Sequence, residues 1–155
     1  MDEKFMQAAI KAARQGIKDG QTPFGACIER DGEIVSCRHN IVWASKDITA
    51  HAEIDSIRAA CSRLDSIDLS GSVIYSTCEP CPMCFSAIHW ARIDKIVYGA
   101  EIPDALAAGF NELSVSNERL KVMGESSVEI VGGFMRDECV KLFAEWLDQG
   151  KAKTY

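Results

Sequence analysis

The chain is short of positive charge and of long apolar runs, and each shortage excludes a class of protein. Lys and Arg number 17 against 23 Asp and Glu, a formal net charge of −6. This argues against a general nucleic-acid surface, because phosphate binding depends on clustered basic residues. No apolar segment is long enough to span a bilayer, and the charged start MDEK is unlike a secretory leader. We expect no membrane partner, and a small or weakly charged substrate.

The sequence also lacks repeats, low-complexity tracts and linkers. Its 155 residues, 47% of them hydrophobic, predict a single domain over residues 1–155 with one core. The seven cysteines are an odd number, and two of them suit a metal site (below), so a disulfide framework is not expected. Unpaired thiols of this kind favour a cytoplasmic location.

Two short motifs carry most of the chemical information. HAE at 51–53 supplies His51 and Glu53, and PCPMC at 80–84 supplies Cys81 and Cys84. The two cysteines are three apart and share one face of a helix, and Pro80 ahead of them suits the first helical position. Both thiols then lie in the first turn, where the helix dipole favours the thiolate that binds metal. One imidazole and two thiolates predict a zinc ion with its fourth position open.

Glu53 suits the role of proton carrier beside such a zinc. Two thiolates and a neutral imidazole cancel the charge of the ion and leave it a weaker Lewis acid than a zinc held by three histidines. Its water therefore needs a base, and Glu53 can take that proton and return it later. Because His51 and Glu53 are two apart, they must straddle the start of a helix over 52–60. Capping side chains for that start are expected from Ser45, Asp47 and Thr49.

Other metal or redox sites share parts of this pattern. Cys78 extends the run to C-x-x-C-x-x-C, which with His51 could form a closed Cys3His structural site. An iron–sulfur run would need a fourth cysteine at position 88, which is Ile. A thioredoxin-like C-x-x-C leaves His51 and Glu53 unexplained.

Hydrophobic periodicity predicts alternating helices and strands. Helices are expected at 5–17, 52–60, 81–92, 105–108 and 134–147, and strands at 24–29, 33–38, 72–76, 95–98 and 127–131. The first two strands form a hairpin through Asp31-Gly32. The predicted fold class is α/β, a three-layer α/β/α sandwich with a mixed central sheet.

Further short motifs, which together carry a resemblance to a known family, extend almost from one end of the chain to the other. They are PFGA at 23–26, Asn40, TAHAE at 49–53, CEPCPMC at 78–84, AIHWAR at 87–92, AGF at 108–110 and the terminal Tyr155. On these residues the chain resembles the cytidine deaminase-like superfamily, whose zinc motif pairs H-x-E with P-C-x-x-C, and within it the guanine deaminase branch. The resemblance implies one zinc per chain, a purine substrate, catalysis by Glu53 and a homodimer.

The resemblance also implies a substrate pocket. Asn40 would bond the purine, Phe24 and Trp90 would form walls, Glu112 would meet the amine of the substrate, and the C-terminal segment would close the site with Tyr155. From the residues alone, each of these positions has a purely structural alternative. Phe24 and Trp90 suit a hydrophobic core equally well, and Asn40 suits a turn. Glu112 suits a solvated loop, and Tyr155 suits a frayed chain end.

One position departs from the branch. Guanine deaminases usually carry Asp-Asp after AGF, whereas this chain has Asn111-Glu112. The carboxylate persists with one more methylene, and adenine lacks the 2-amino group that it would read, which favours guanine. A purine nucleoside, a tRNA adenosine and a structural zinc module stay open as alternatives. The tail has only Lys151 and Lys153 as basic residues. This disfavours a tRNA substrate, because tRNA deaminases usually carry a basic C-terminal region.

Overall fold

A computed structural model describes residues 1–150 and 152–155, so Lys151 of the tail lies outside the described residues. Its centre is a five-stranded sheet in the order β2-β1-β3-β4-β5. The strands are β1 Gly25–Arg30, β2 Glu33–His39, β3 Ser72–Cys78, β4 Lys95–Ala100 and β5 Glu129–Val131. β1 runs antiparallel to β2 and β3, while β3, β4 and β5 are parallel. The mixed sheet is as predicted.

Helices cover both faces of this sheet. They are α1 Glu3–Lys18, α2 Val42–Ser45, α3 Ala52–Leu64, α4 Pro82–Trp90, α5 Ile102–Ala107, α6 Asn117–Met123 and α7 Arg136–Leu147. Neighbouring residues of a strand point to opposite faces. Cys27, Tyr75 and Val97 accordingly enter the core under α1 and α7, and Ile28, Ile74 and Ile96 the core under α3 and α4. The three-layer α/β/α architecture is therefore confirmed.

Two helices are absent from the sequence prediction. α2 is a single turn, and α6 is held by tertiary contacts at its start rather than by a strong apolar stripe. The backbone N–H of Asn117 donates to the Glu79 carboxylate at 2.8 Å, and its side-chain amide donates to the Pro80 carbonyl at 2.6 Å. These bonds tie the start of α6 to the loop that follows β3. Among the described residues, no helix is long and apolar enough to cross a membrane.

The starts of α3 and α4 differ from the prediction in detail. The N-cap residues are His51 and Cys81, both with extended backbones, and Pro82 rather than Pro80 begins α4. The expected capping of α3 by Ser45, Asp47 and Thr49 is wrong: Asp47 instead accepts hydrogen bonds from Thr49, because the chain reaches the helix through a separate turn. A histidine and a cysteine thus occupy the two helix starts themselves.

Candidate metal centre

The starts of α3 and α4 bring three donor atoms together. His51 Nδ1 lies 3.6 Å from Cys81 Sγ and 3.6 Å from Cys84 Sγ. All three atoms are within 4.8 Å of one another. A tetrahedral zinc with bonds of about 2.0 Å to nitrogen and 2.3 Å to sulfur separates those ligand atoms by about 3.6 Å. The donor set therefore fits zinc in both chemistry and spacing.

Backbone hydrogen bonds fix the two ligands that begin helices. The carbonyl of His51 accepts from the N–H of Asp55, and that of Cys81 accepts from the N–H of Phe85, each at 2.9 Å. These are the first helical bonds of α3 and α4, and they hold the ligand side chains outside the helices and facing each other. Cys84 lies in the first turn of α4, as predicted.

The two thiols differ in their affinity for a proton. The hydrogen bond from Cys84 lowers the pKa of Cys81 to about 4, helped by His51 and opposed by burial. The same hydrogen bond, with burial and the nearby Glu53 charge, raises the pKa of Cys84 well above its usual value. The expectation that the helix start favours both thiolates holds for Cys81 and fails for Cys84. A bound divalent cation favours the thiolate at both positions.

Glu53 lies beside the ligands in a buried environment. Its side chain is 6% exposed, Oε1 accepts from Ser76 Oγ at 2.8 Å, and Cys84 Sγ lies 3.5 Å from Oε2. Burial raises the pKa of Glu53, and the His51 charge opposes that effect. A buried carboxyl with a raised pKa holds a proton more readily than a free one, which suits a group that both takes and gives a proton.

Ser76 contacts Glu53, and the sequence motifs did not predict this contact. It lies on β3 two residues after Ile74, and Ile74 faces α3 and α4. Strand alternation therefore places Ser76 on the face that carries Glu53. That alternation was the available signal, since no motif includes the residue.

Four of the five predicted substrate residues surround the same small cavity. It has a volume of about 20 Å³, and its lining includes Phe24, Asn40, His51, Glu53, Cys81, Glu112 and Tyr155. The Asn40 side chain is fully buried; its Oδ1 accepts from Val42 N at 3.0 Å and its Nδ2 donates to Tyr155 Oη at 2.7 Å. Burial raises the pKa of Glu112. The structure therefore gathers these side chains around the ligand set.

The C-terminal tail folds over the site of its own chain. The ring of Tyr155 lies 5.7 Å from that of His51, centroid to centroid. The backbone N–H of Asn111 donates to the Tyr155 carbonyl at 3.3 Å, and Trp43 Nε1 donates to the Lys153 carbonyl at 3.1 Å. Three separate contacts thus hold the described part of the tail against the loops around the ligands.

Comparison with known proteins identifies the family. The model of the cytidine and deoxycytidylate deaminase zinc-binding region matches residues 1–100. The chain belongs to this family. It is 37% identical over 154 residues to a guanine deaminase of Bacillus subtilis (strain 168), covering 99% of this chain and 98% of that one. It is 36% identical over 138 residues to a tRNA-specific adenosine deaminase of the same strain, covering 89% and 83%.

A solved structure agrees with this assignment. The guanine deaminase from Nitrosomonas europaea superposes with a TM-score of 0.85 at 25% identity, covering 94% of this chain and 84% of that one. The protein is therefore a zinc-binding hydrolytic deaminase, with His51, Cys81 and Cys84 positioned for the metal. Guanine and tRNA deaminases are both close relatives, so the family alone leaves the substrate undecided.

Trp90 does not reach the active site of its own chain. It is the last residue of the nine-residue α4, and a rise of about 1.5 Å per residue carries it roughly 13 Å from the helix start. Its side chain is 78% exposed and lines a different depression of about 580 Å³ with Ser70 and Asp94. Trp90 therefore forms no wall of the small cavity beside the zinc ligands of its own chain.

Cys78 stands apart from the ligand group. Among the described residues, the set with metal-binding geometry is His51, Cys81 and Cys84. The Cys78 thiol instead donates to the Glu101 carbonyl at 3.7 Å, and burial raises its pKa well above the usual range. The geometry favours the open three-ligand centre over the closed Cys3His site.

Zinc retention in cysteine variants tests this distinction. Cys78→Ser should keep about one zinc per chain, because three protein ligands and an open position suffice for a catalytic zinc. Cys81→Ser, the matched control, should lose most of its zinc. Atomic absorption on dialysed protein measures both. Equal loss in the two variants would establish the closed site.

Proposed function

We propose that this deaminase converts guanine and water to xanthine and ammonia. The proposal rests on the position of the C-terminal tail. The Tyr155 hydroxyl accepts a hydrogen bond from the Asn40 side chain, and Tyr155 covers the cavity beside the zinc ligands. A nucleoside or an RNA strand would need an open path for its ribose and phosphates at this place. A free base needs no such path.

The proton path in this proposal runs through Glu53. Zinc, when bound, supplies a Lewis acid that lowers the pKa of water. Glu53 takes a proton from the attacking water as oxygen adds to C2 of guanine, and delivers it to the ring nitrogen. Glu53 then takes the second proton from the added hydroxyl and gives it to the departing amine as the C–N bond breaks and the carbonyl forms, so that one water is consumed and one ammonia is released. The hydrogen bond from Ser76 holds Oε1 and orients the carboxyl for these transfers.

Glu112 supplies the preference for guanine. Its carboxyl lines the same cavity as Asn40 and Glu53 and can accept hydrogen bonds from the 2-amino group. Adenine has no amine at that position, so the half-buried carboxylate of Glu112 would lack its partner, which costs free energy. The extra methylene relative to the usual aspartate changes the depth of the pocket.

Tyr155 acts as a movable partition in this proposal. The inner cavity of about 20 Å³ has room for a water but not for a purine. An outer groove of about 270 Å³ borders the same His51, Cys81, Glu112 and Tyr155 side chains. Withdrawal of the Tyr155 ring joins the two spaces into one near the lower limit of about 300 Å³ for small-molecule sites. The ring then closes over the bound base and excludes water.

An ammonia-release assay decides the substrate. Zinc-loaded protein is given guanine, guanosine, cytosine, adenine and an anticodon stem–loop RNA at matched concentrations. Guanine should give the highest kcat/KM. A higher value for guanosine would mean that the tail leaves room for a ribose. A higher value for the adenosine of the RNA would assign the chain to the tRNA deaminases.

We also propose that two copies of the chain associate through α4 and α6. Trp90, Val122 and Met123 are 78%, 75% and 72% exposed. Trp90 and Met123 border one groove of about 310 Å³. Contiguous exposed apolar surface of this kind marks interaction sites, and a symmetric dimer is the commonest way to cover it.

Sedimentation tests the dimer. The protein should sediment at twice the 17.0 kDa of one chain at micromolar concentration. Trp90→Ser should shift it toward the monomer, because the exposed indole is the largest apolar group of the surface. Leu147→Ser removes a half-exposed leucine from α7, on the opposite layer, and should leave the dimer intact. A wild-type protein that sediments only as 17.0 kDa would refute the proposal.

A further inference from the structure

Two cysteines outside the metal centre face each other across the first hairpin. Cys27 of β1 and Cys37 of β2 are direct partners in the antiparallel ladder, and both are free thiols. Directly opposed residues have Cα atoms about 4.5–5.5 Å apart, inside the range of about 4.4–6.8 Å that a disulfide needs. Opposed side chains also point to the same face of the sheet, and on that face the Cys37 thiol donates to the Ala8 carbonyl of α1 at 3.3 Å.

The two thiols differ in access. Cys27 is fully buried, whereas Cys37 is partly exposed and lies on β2, at the edge of the sheet. The neighbouring Cys27 thiol, helped by the charge of Arg38 and opposed by burial, lowers the pKa of Cys37. Cys37 is therefore the thiol that meets a reagent first, and the thiolate is the form that reacts.

We propose that Cys27 and Cys37 form a reversible cross-strand disulfide by exchange with a small disulfide such as oxidised glutathione. The Cys37 thiolate attacks one sulfur of glutathione disulfide and releases one glutathione. Cys27 then loses its proton, attacks the Cys37 sulfur of the mixed disulfide and releases the second glutathione. Two protein thiols are oxidised, one glutathione disulfide is reduced to two thiols, and two protons are conserved in the products.

Ladder geometry makes this disulfide reducible. Opposed Cβ atoms in an antiparallel pair are about 4.5–5.5 Å apart, and a disulfide brings them to about 3.8 Å. Closing the bond therefore pulls β1 and β2 together at this rung. Strained disulfides are the more easily reduced ones and serve as switches rather than permanent links.

The hairpin connects this pair to the active site. Phe24 comes directly before β1 and Asn40 directly after β2, and the backbone N–H of Asn40 donates to the Phe24 carbonyl at 3.0 Å. Phe24 precedes Cys27 by three residues along the chain, and Asn40 follows Cys37 by three. Oxidation should therefore displace Phe24 and Asn40 and raise the KM for guanine without removing zinc, a consequence that rests on the proposed function.

Peptide mapping of the zinc-loaded full chain tests the pair. The protein is equilibrated in glutathione buffers of increasing oxidised fraction, acid-quenched, alkylated and digested with trypsin, while zinc is measured in parallel. Cleavage after Arg30 places each cysteine in its own peptide, 19–30 and 31–38. We expect these peptides to become linked with the loss of two hydrogens, and dithiothreitol to release them.

Variants and outcomes decide between the possibilities. Cys37→Ala should abolish the linked peptides, while Cys61→Ala, which removes a partly buried thiol from α3, should leave them unchanged. Absence of the link at every glutathione ratio, or glutathione attached to Cys37 alone, overturns the proposal. An unchanged KM for guanine in fully linked protein overturns its coupling to the pocket. Failure of guanine as a substrate would leave the mapping result standing.

Discussion

Replacing Glu53 with glutamine should lower kcat by about 10²–10⁴-fold, the usual contribution of a positioned acid–base group. The amide has almost the same shape, and its oxygen can still accept from Ser76, so the packing around it should persist. Zinc content and melting temperature should therefore stay close to those of the wild type. Steady-state ammonia release, with zinc measured on the same samples, gives both quantities.

A second variant separates the proton role from the local hydrogen bond. Ser76→Ala removes the partner of Glu53 Oε1 but leaves a titratable carboxyl in place. It should cost much less than Glu53→Gln, because orientation is loosened while proton transfer remains possible. If Glu53→Gln retains a substantial fraction of wild-type kcat, the protons are carried by another group, and Glu112 in the same cavity is the next candidate.

Deletion of residues 150–155 should lower guanine turnover by about 10²-fold, the scale of losing one element that positions the substrate. The deletion removes the contacts of Tyr155 with Asn40 and Asn111 and that of Lys153 with Trp43, and it opens the cavity to solvent. The helix α7 ends at Leu147, before the cut, so the fold should survive. Single-turnover kinetics and circular dichroism on the truncated chain measure the two effects.

Tyr155→Phe is the finer control for the tail. It keeps the ring over His51 and removes only the hydroxyl that accepts from Asn40. Because one such hydrogen bond contributes about 1 kcal/mol, this variant should lose far less activity than the deletion. Unchanged kinetics in the truncated chain would show that the tail is not a lid, and the nucleoside would again be a candidate substrate.

Much of the fold was predictable because its elements carry strong local patterns. α1 has an apolar stripe, β1 and β2 are joined through Asp31-Gly32, and β3 and β4 are apolar runs that become buried strands. The zinc ligands were predictable because metal chemistry restricts both residue type and spacing. His51, Cys81 and Cys84 needed only two helix starts to converge.

The remaining features depend on contacts between distant parts of the chain. The alternation of β3 was visible, yet only the fold shows that Ser76 faces Glu53. Trp90 is at the far end of α4, whose start carries zinc ligands. The distance from Trp90 to the metal site therefore follows from the direction of that helix. The pKa of Cys84 reflects its buried neighbours Cys81 and Glu53, which oppose the effect of the helix start. Helix propensity and spacing contain none of this information.

The bonds from Asn117 to Glu79 and Pro80 should couple α6 to metal affinity. They restrain the loop immediately before Cys81. Because that loop is already ordered before an ion binds, metal binding does not have to order it. Coupling of this kind is reciprocal: whatever steadies α6 tightens the hold on zinc, and zinc in turn steadies α6 by the same free energy. A substitution in this short helix, which touches no ligand, can thus set the zinc concentration at which the enzyme becomes active.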